Sequence, residues 1–163
     1  MNQNQLTQKE RLLLQDLKSQ EELCIKKYGK YGQEAGDEVL KQLFQQLASS
    51  EQQHLATVDQ ILAGGNPSMQ SGQQTQGTQQ GQGTQFTPTS NLKSPNANQK
   101  DFYLVHDLLS TEKYVSATYN TAIFEFNSPQ IRQTLNHIQK EEQEHGELLY
   151  NYLKQNNAYP LQS

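Results

Sequence analysis

Apolar residues recur every three or four positions in two blocks of the chain, residues 6–63 and 101–155, without a strand-like alternation. That period is typical of amphipathic helices. Each block has one internal break, GQEAGD in the first and FNSPQ in the second. Gly36 can end a helix, Asp37 can cap the next, and the Ser-Pro pair at 128–129 has the form of a helix start. The pattern predicts four helices of about 20 to 27 residues each.

The segment between the blocks, residues 64–100, consists almost wholly of Gly, Gln, Ser, Thr, Asn and Pro. It has no apolar period and almost no charge, so it cannot bury enough surface to offset its ordering entropy. We therefore predict a long disordered crossover. The chain divides into a first helical hairpin (1–63), a Gln/Gly-rich linker (64–100) and a second helical hairpin (101–163), and the two hairpins form one bundle.

The two helical blocks align without a gap at an offset of 91 residues. The stretch LLQDLKSQE falls on LVHDLLSTE, and the breaks at Gly36 and Asn127 coincide. A shared ancestral hairpin is the simplest explanation of this internal repeat.

Each predicted helix has one apolar stripe, which we call its seam, with the spacing that lines the core of a helical bundle. Every seam is interrupted near its middle by Glu, or by Glu with His three residues later. In chain order the seams are Leu14, Leu17, Glu21, Cys24 and Tyr28; Leu40, Phe44, Leu47, Glu51, His54, Val58 and Ile61; Val105, Leu108, Glu112, Val115, Tyr119 and Phe126; and Ile131, Leu135, Ile138, Glu142, His145, Leu149 and Tyr152.

Six polar seam residues indicate a metal site. A buried, unpaired carboxylate costs several kcal/mol or takes up a proton, and two divalent cations would neutralise four of them. Glu and His three positions apart point the same way on a helix. Ferritin-like di-iron and di-manganese bundles use this set, and their one long connection fits the crossover. We predict an all-α, ferritin-like four-helix bundle with two Fe or Mn ions, held by Glu21, Glu51, His54, Glu112, Glu142 and His145.

Other interpretations of the polar positions stay open at this stage. A seam shifted by one residue would bring Glu22 or Glu141 into the core instead. A bundle without metal could satisfy the same six residues by hydrogen bonds and shared protons. Asp16 and Asp107 lie beside the seams, where they are either surface residues or hydrogen-bond partners of a ligand histidine.

The remaining residues near the seams have simpler interpretations. Tyr28 and Tyr119 are expected to pack in the core, with a redox role as the minor alternative. Cys24 is expected to be a small core residue. His106 and His137 lie off the seams and are expected at the surface or its boundary.

Residues 106–159 contain a DLL-x-x-E-K opening, a Tyr-Asn-x-Ala stretch, an N-S-P-x-I-R hinge and a closing L-x-x-Y-L-K. These motifs resemble the spore coat F family of endospore-forming bacteria. The resemblance implies a sporulation protein, made in the mother-cell cytoplasm and located in the spore coat, with other coat proteins as partners. It implies no enzymatic activity and no catalytic residues.

Length, charge and cysteine content limit the classes of protein and partner that the chain fits. A chain of 163 residues is long enough for one domain and short for two. A net charge of -4 gives no reason to expect nucleic acid or a polybasic membrane contact. No stretch approaches the ~20 apolar residues of a membrane helix. The only cysteine, Cys24, excludes an intrachain disulfide and fits a reducing compartment. The polar start MNQNQLTQKER lacks the apolar region of a signal peptide.

The sequence therefore favours a spore coat-associated protein with a dinuclear metal site. The alternative is a di-iron or di-manganese oxidoreductase that acts on peroxide or O₂, similar to rubrerythrins and manganese catalases. Metal storage is less favoured because it requires a large symmetric assembly. The sequence leaves open whether the site is catalytic, which metal it takes, and whether the chain forms a homodimer.

Overall fold

The computed structural model describes residues 5–67 and 85–160, which form four α-helices and no strand. The helices are α1 (Gln8–Glu34), α2 (Glu38–Leu62), α3 (Gln99–Glu125) and α4 (Pro129–Gln155). This confirms the predicted four-helix bundle of two hairpins. No helix in the described ranges combines the length and the apolar character that crossing a membrane requires.

Side-chain caps define where the helices begin. Thr7 accepts a hydrogen bond from the backbone of Glu10, whose side chain accepts one from the backbone of Thr7, so α1 starts with a capping box. Asp37 caps α2 and Ser128 caps α4 with Pro129 in the first turn, as the sequence predicts. These caps satisfy backbone N–H groups that would otherwise lack a partner at the helix ends.

Contacts between the helices fix their directions. Lys9 pairs with Glu125 at 2.6 Å and Lys27 with Asp107 at 3.0 Å, so α1 and α3 run antiparallel. Because α2 is the second helix of the first hairpin and runs antiparallel to α1, α2 and α3 run parallel. The chain must therefore cross the full length of the bundle between them, which is the connection that the sequence predicts.

The seams form the core of the bundle. All the seam residues are buried except Ile131, which is partly buried. The spacing of three and four residues along the sequence thus predicts correctly which residues form the core. The alternative register is wrong, since Glu22 is exposed and Glu141 is only half-buried.

Part of the predicted linker is ordered, which corrects the prediction for residues 85–100. Residues 85–98 pack along the bundle, and α3 already begins at Gln99. Leu92 is fully buried, and its backbone N–H donates to the side chain of Gln155 at 2.7 Å. The side-chain amide of Gln46 accepts a hydrogen bond from the backbone N–H of Phe86 at 2.6 Å and donates one to its carbonyl at 2.8 Å. Residues 68–84 lie outside the described residues.

Contacts between the two hairpins are reciprocal and follow the offset of 91 residues. Glu10 accepts from the backbone N–H of Asn127 at 2.8 Å. At the equivalent place, Asp101 accepts from the backbone N–H of Gly36 at 3.0 Å. Each buried acid thus anchors the interhelical turn of the opposite hairpin, so the repeat is reproduced in the tertiary contacts.

Candidate metal centre

The six predicted ligands lie together in the middle of the bundle. Their side chains come from all four helices and are almost completely buried, with no residue more than 4% exposed. They form two groups that could each hold a metal ion, and within each group the ligand atoms lie within 4.8 Å of one another. One group is Glu21, Glu51, His54 and Glu142, and the other is Glu51, Glu112, Glu142 and His145.

Glu51 and Glu142 belong to both groups. Oε2 of Glu51 lies 3.2 Å from Nδ1 of His54, and its Oε1 lies 3.0 Å from Nδ1 of His145. Glu142 is placed in the same way, with Oε1 at 3.2 Å from Nδ1 of His54 and Oε2 at 3.4 Å from Nδ1 of His145. Each carboxylate therefore presents one oxygen to each group, which is the geometry of a bridging ligand.

Glu21 and Glu112 each belong to one group and are held by a tyrosine from the other hairpin. The hydroxyl of Tyr119 donates to Oε1 of Glu21, and the hydroxyl of Tyr28 donates to Oε1 of Glu112. Both tyrosines are fully buried, as predicted for core residues. Their hydroxyl contacts to the two carboxylates go beyond core packing, because they fix the orientation of these side chains.

Each histidine turns Nδ1 towards the carboxylates and Nε2 outwards. Nε2 of His54 donates to the carboxylate of Glu141 at 2.6 Å, and Nε2 of His145 contacts the hydroxyl of Ser50 at 2.9 Å. Such outer contacts fix the tautomer and the ring orientation of a metal-binding histidine. Ser50 and Glu141 are 91 residues apart, so they are equivalent positions of the repeat. Each directly precedes a seam glutamate, but the sequence pattern singles out only Glu141, and as an alternative core residue rather than as a partner of His54.

Hydrogen bonds within the protein leave four carboxylate oxygens of the cluster without a partner. They are Oε2 of Glu21, Oε2 of Glu112 and both oxygens of Glu142. Buried carboxylate oxygens normally find a donor, because an unsatisfied one costs free energy. Metal ions would give these atoms ligand bonds. The metal-free alternative relies instead on the contacts of Glu142 to Nδ1 of His54 and His145, at 3.2 and 3.4 Å, and on protons shared between the carboxyls.

Protons balance the charge of the metal-free cluster. Burial raises the pKa of Glu21 to about 11, and burial also raises the pKa of Glu112 well above its ordinary value. Burial opposes the ionisation of Glu51 and Glu142, but the imidazoles lower the pKa of both. These opposite directions favour protons on Glu21 and Glu112 and negative charge on Glu51 and Glu142.

The imidazoles supply the compensating positive charge. Burial lowers the pKa of His54, but the carboxylates of Glu141, Glu142 and Glu51 outweigh it and raise this pKa to about 12. His145 shows the same balance, and its pKa lies well above its ordinary value. Two protonated imidazoles and two carboxylates make the metal-free core neutral. Two divalent cations would make it neutral again after all four protons had left.

The other residues considered in the sequence lie outside this cluster. Asp16 is exposed, and Asp107 accepts hydrogen bonds from Lys27 and Tyr31, so neither is the partner of a ligand histidine. Cys24 is fully buried, as predicted. The two remaining histidines are half-buried and exposed, as predicted for surface or boundary positions; they are His106 and His137.

A cavity of about 530 Å³ lies between α3 and α4 and reaches the cluster at Glu112 and Glu142. Its wall combines apolar surface from Leu109 and Tyr159 with polar and charged side chains, which include Lys113, Gln143 and Glu147. The main-chain reversal after α4 builds part of this wall: Asn157 has a left-handed φ of 57°, and the N–H of Ala158 donates to the carbonyl of Leu153 at 2.8 Å. The reversal places the ring of Tyr159 on that of Tyr150, with centroids 4.8 Å apart.

Residues 100–162 match the family model described as the Coat F domain. The match covers the second hairpin and agrees with the resemblance to the spore coat F family seen in residues 106–159. It leaves the first hairpin, and with it half of the candidate metal centre, outside the matched region. Neither the curated proteins nor the solved structures contain a match to the chain.

Proposed function

We propose that this is a spore coat-associated protein whose four-helix bundle holds a dinuclear centre of two Fe or Mn ions in a ferritin-like arrangement. The Coat F match of the second hairpin supports the association with the coat. The observation that carries the metal centre is the position of Glu51 and Glu142, since each offers one oxygen to each ligand group. Histidine and carboxylate together suit both iron and manganese.

The ligands divide into bridging and terminal roles. Glu51 and Glu142 bridge the two ions. Two further pairs bind one ion each: Glu21 with His54, and Glu112 with His145. Four carboxylates balance two divalent cations, so the loaded core carries no net charge. Nδ1 is the ligating atom of each histidine, because it is the ring nitrogen that faces the carboxylates.

Elemental analysis of the purified protein without a His tag tests the centre. We expect close to two Fe or Mn ions per chain and loss of both in the Glu51→Gln, Glu142→Gln variant, which keeps the side-chain shapes. The matched control is Glu22→Ala with Glu144→Ala, which removes one exposed glutamate from each hairpin. A folded wild type that takes up neither metal after reconstitution would refute the dinuclear centre.

The association with the coat needs its own experiment. Immunodetection in purified spore coats is expected to find the protein, and deletion of its gene is expected to change coat composition or spore resistance. Complementing the deletion with the Glu51→Gln, Glu142→Gln variant separates the two parts of the proposal. Wild-type coats in the deletion strain, together with absence of the protein from the coat, would contradict the coat role.

A second candidate function is a di-iron or di-manganese oxidoreductase that acts on peroxide or O₂. The observation that favours it is the cavity that reaches Glu112 and Glu142, since a purely structural centre needs no access from outside. The metal-loaded protein is then expected to consume peroxide, or O₂ together with a reductant, with turnover. Absence of turnover in protein that holds its full metal content would exclude this candidate.

A further inference from the structure

Side-chain amides hold the ordered part of the crossover on the bundle by bonding its backbone. Gln46 of α2 accepts from the N–H of Phe86 and donates to the carbonyl of the same residue. Gln155 of α4 accepts from the N–H of Leu92 at 2.7 Å and donates to the carbonyl of Ser90 at 3.2 Å. Each amide offers one donor and one acceptor to the main chain, as a neighbouring β-strand would do.

Two further amides continue these contacts at the C-terminal end of α4. Asn151 donates to the carbonyl of Pro88 at 2.9 Å. Asn156 accepts from the N–H of Ser94 at 2.9 Å and donates to the carbonyl of Leu92 at 3.0 Å. All these amides bond main-chain atoms of the crossover, so this surface recognises an extended backbone.

The same surface continues past the crossover as an open groove. A cavity of about 790 Å³ lies between α2 and α4, with Phe86 on its wall. One face of α2 lines it with amides and hydroxyls, namely Gln42, Gln45, Gln46, Ser49, Ser50 and Gln53. The distance along α2 from Gln46 to Gln53 is roughly 10 Å at 1.5 Å per residue. That length accommodates about three extended residues at ~3.3 Å each.

Two glutamates of α4 make this groove acidic. Glu141 and Glu144 line it, and its lining, within the part of the chain that the structure describes, includes no lysine or arginine. Glu141 is already engaged by His54 and His137. Glu144 is exposed, and its only ion pair among the described residues is a weak surface contact to Lys140 at 3.8 Å. Glu144 is therefore the carboxylate that is accessible to a cationic side chain of a partner.

We propose that the groove between α2 and α4 binds an extended segment of another protein. The amides of α2 hold its main chain, and Glu144 pairs with a Lys or Arg side chain on it. The crossover displays the same mode of binding on the adjoining surface. In such complexes main-chain hydrogen bonds supply affinity and side-chain contacts supply specificity. The inference needs no metal ion, and it rests on the proposed function only for the place where the partner is found, the spore coat.

Fluorescence anisotropy with the full chain and labelled peptides tests this binding mode. The probe is Ser-Gln-Thr-Lys-Thr-Gln-Ser, compared with peptides that carry alanine or glutamate in place of the lysine. We expect the lysine peptide to bind severalfold more tightly than the alanine peptide, and the glutamate peptide to bind most weakly. N-methylation of the peptide backbone keeps the side chains, removes the N–H donors and is expected to abolish binding. No binding of the lysine peptide, equal binding of all three peptides, or undiminished binding after methylation would overturn the proposal.

Variants of the two helices locate the site. Gln45→Ala with Gln53→Ala removes two exposed amides and is expected to weaken binding of the lysine peptide severalfold. Glu144→Gln is expected to abolish the preference for lysine over alanine. The matched control is Glu147→Gln, an exposed glutamate of α4 that lines the other cavity and is expected to keep the preference. Loss of the preference in both glutamate variants, or in neither, would refute the assignment to this groove.

The competing occupant of the groove is the chain's own segment 68–84. It is tested by replacing that segment with a Gly/Ser linker of the same length. Peptide binding that is absent in the wild type and appears in this variant would show that the chain fills its own groove, and would overturn binding of another protein.

Metal content, measured on the same samples, separates this inference from the proposed centre. Peptide binding by wild-type protein that takes up no metal would refute the centre and leave the groove standing. Full metal content without peptide binding would leave the centre standing and overturn the groove.

Discussion

Ser50 and Glu141 make the two halves of the centre chemically unequal. Nε2 of His54 donates to a carboxylate, whereas Nε2 of His145 contacts a hydroxyl. A carboxylate on the outer nitrogen makes the imidazole a more basic ligand at its inner nitrogen. We therefore expect Glu141→Gln to weaken mainly the ion held with Glu21, and Ser50→Ala to weaken mainly the other ion by a smaller factor.

The expected loss of metal affinity in each variant follows from the contact that Glu141 or Ser50 makes to its histidine. Loss of an outer hydrogen-bond partner typically lowers metal affinity by about 10- to 100-fold. The side chain of Glu141 is 32% exposed, so solvent screening favours the lower end, about tenfold. A hydrogen bond to an ionised acceptor is roughly twice as strong as one between neutral groups. Ser50→Ala is accordingly expected to cost about threefold.

Competitive titration with Mn²⁺ and a chelator gives the two stepwise affinities. Glu141 also pairs with Nε2 of His137 at 3.0 Å. His137→Ala is therefore the control, because it removes this exposed partner and leaves the contact to His54 in place. Equal weakening of both ions by Glu141→Gln, or the same loss in His137→Ala, would refute the reasoning.

Three further predictions concern charge, the crossover and a helix start. Loading the metal-free protein with two divalent ions is expected to release about four protons, measured by calorimetry in buffers of different ionisation enthalpy; release of none would contradict the charge balance. Leu92→Ala is expected to lower the free energy of unfolding by about 2 to 5 kcal/mol in urea titrations, because Leu92 is fully buried, while the exposed control Lys93→Ala changes it little. Burial raises the pKa of Glu10, but the N–H groups of Asn127 and Thr7 outweigh it and lower that pKa below 4.5. The destabilisation by Glu10→Gln is therefore expected in full above pH 4.5 and to shrink as the pH falls below it; a difference independent of pH would contradict the ionised contact.

Periodicity along single helices was enough to predict the core and the members of the cluster. One glutamate stands at an apolar position of each otherwise regular seam, and only burial of a cluster explains four such interruptions at one level. The four are Glu21, Glu51, Glu112 and Glu142. The offset of 91 residues also predicts which side chains are equivalent. These inferences need only the geometry of one helix and the pairing of two.

Periodicity along single helices could not predict which side chains make contact between helices. Whether Glu141 or Asp107 reaches a ligand histidine depends on the rotation and spacing of neighbouring helices, which no single-helix pattern contains. Composition also predicted too long a disordered segment. Residues 85–98 are anchored by two buried apolar residues, Phe86 and Leu92, and by side-chain contacts to backbone groups. Two apolar residues hardly change the average composition of a segment that is otherwise polar, so composition alone does not indicate that the segment packs on the bundle.

Each hairpin contributes three of the six proposed ligand residues. A protein with only one such hairpin would complete the set by pairing with a second copy of itself, and its metal affinity would depend on protein concentration. Joining the halves in one chain replaces that pairing with an intramolecular contact at a fixed effective concentration. It also allows the two halves to differ in sequence, so that one carries Ser50 where the other carries Glu141.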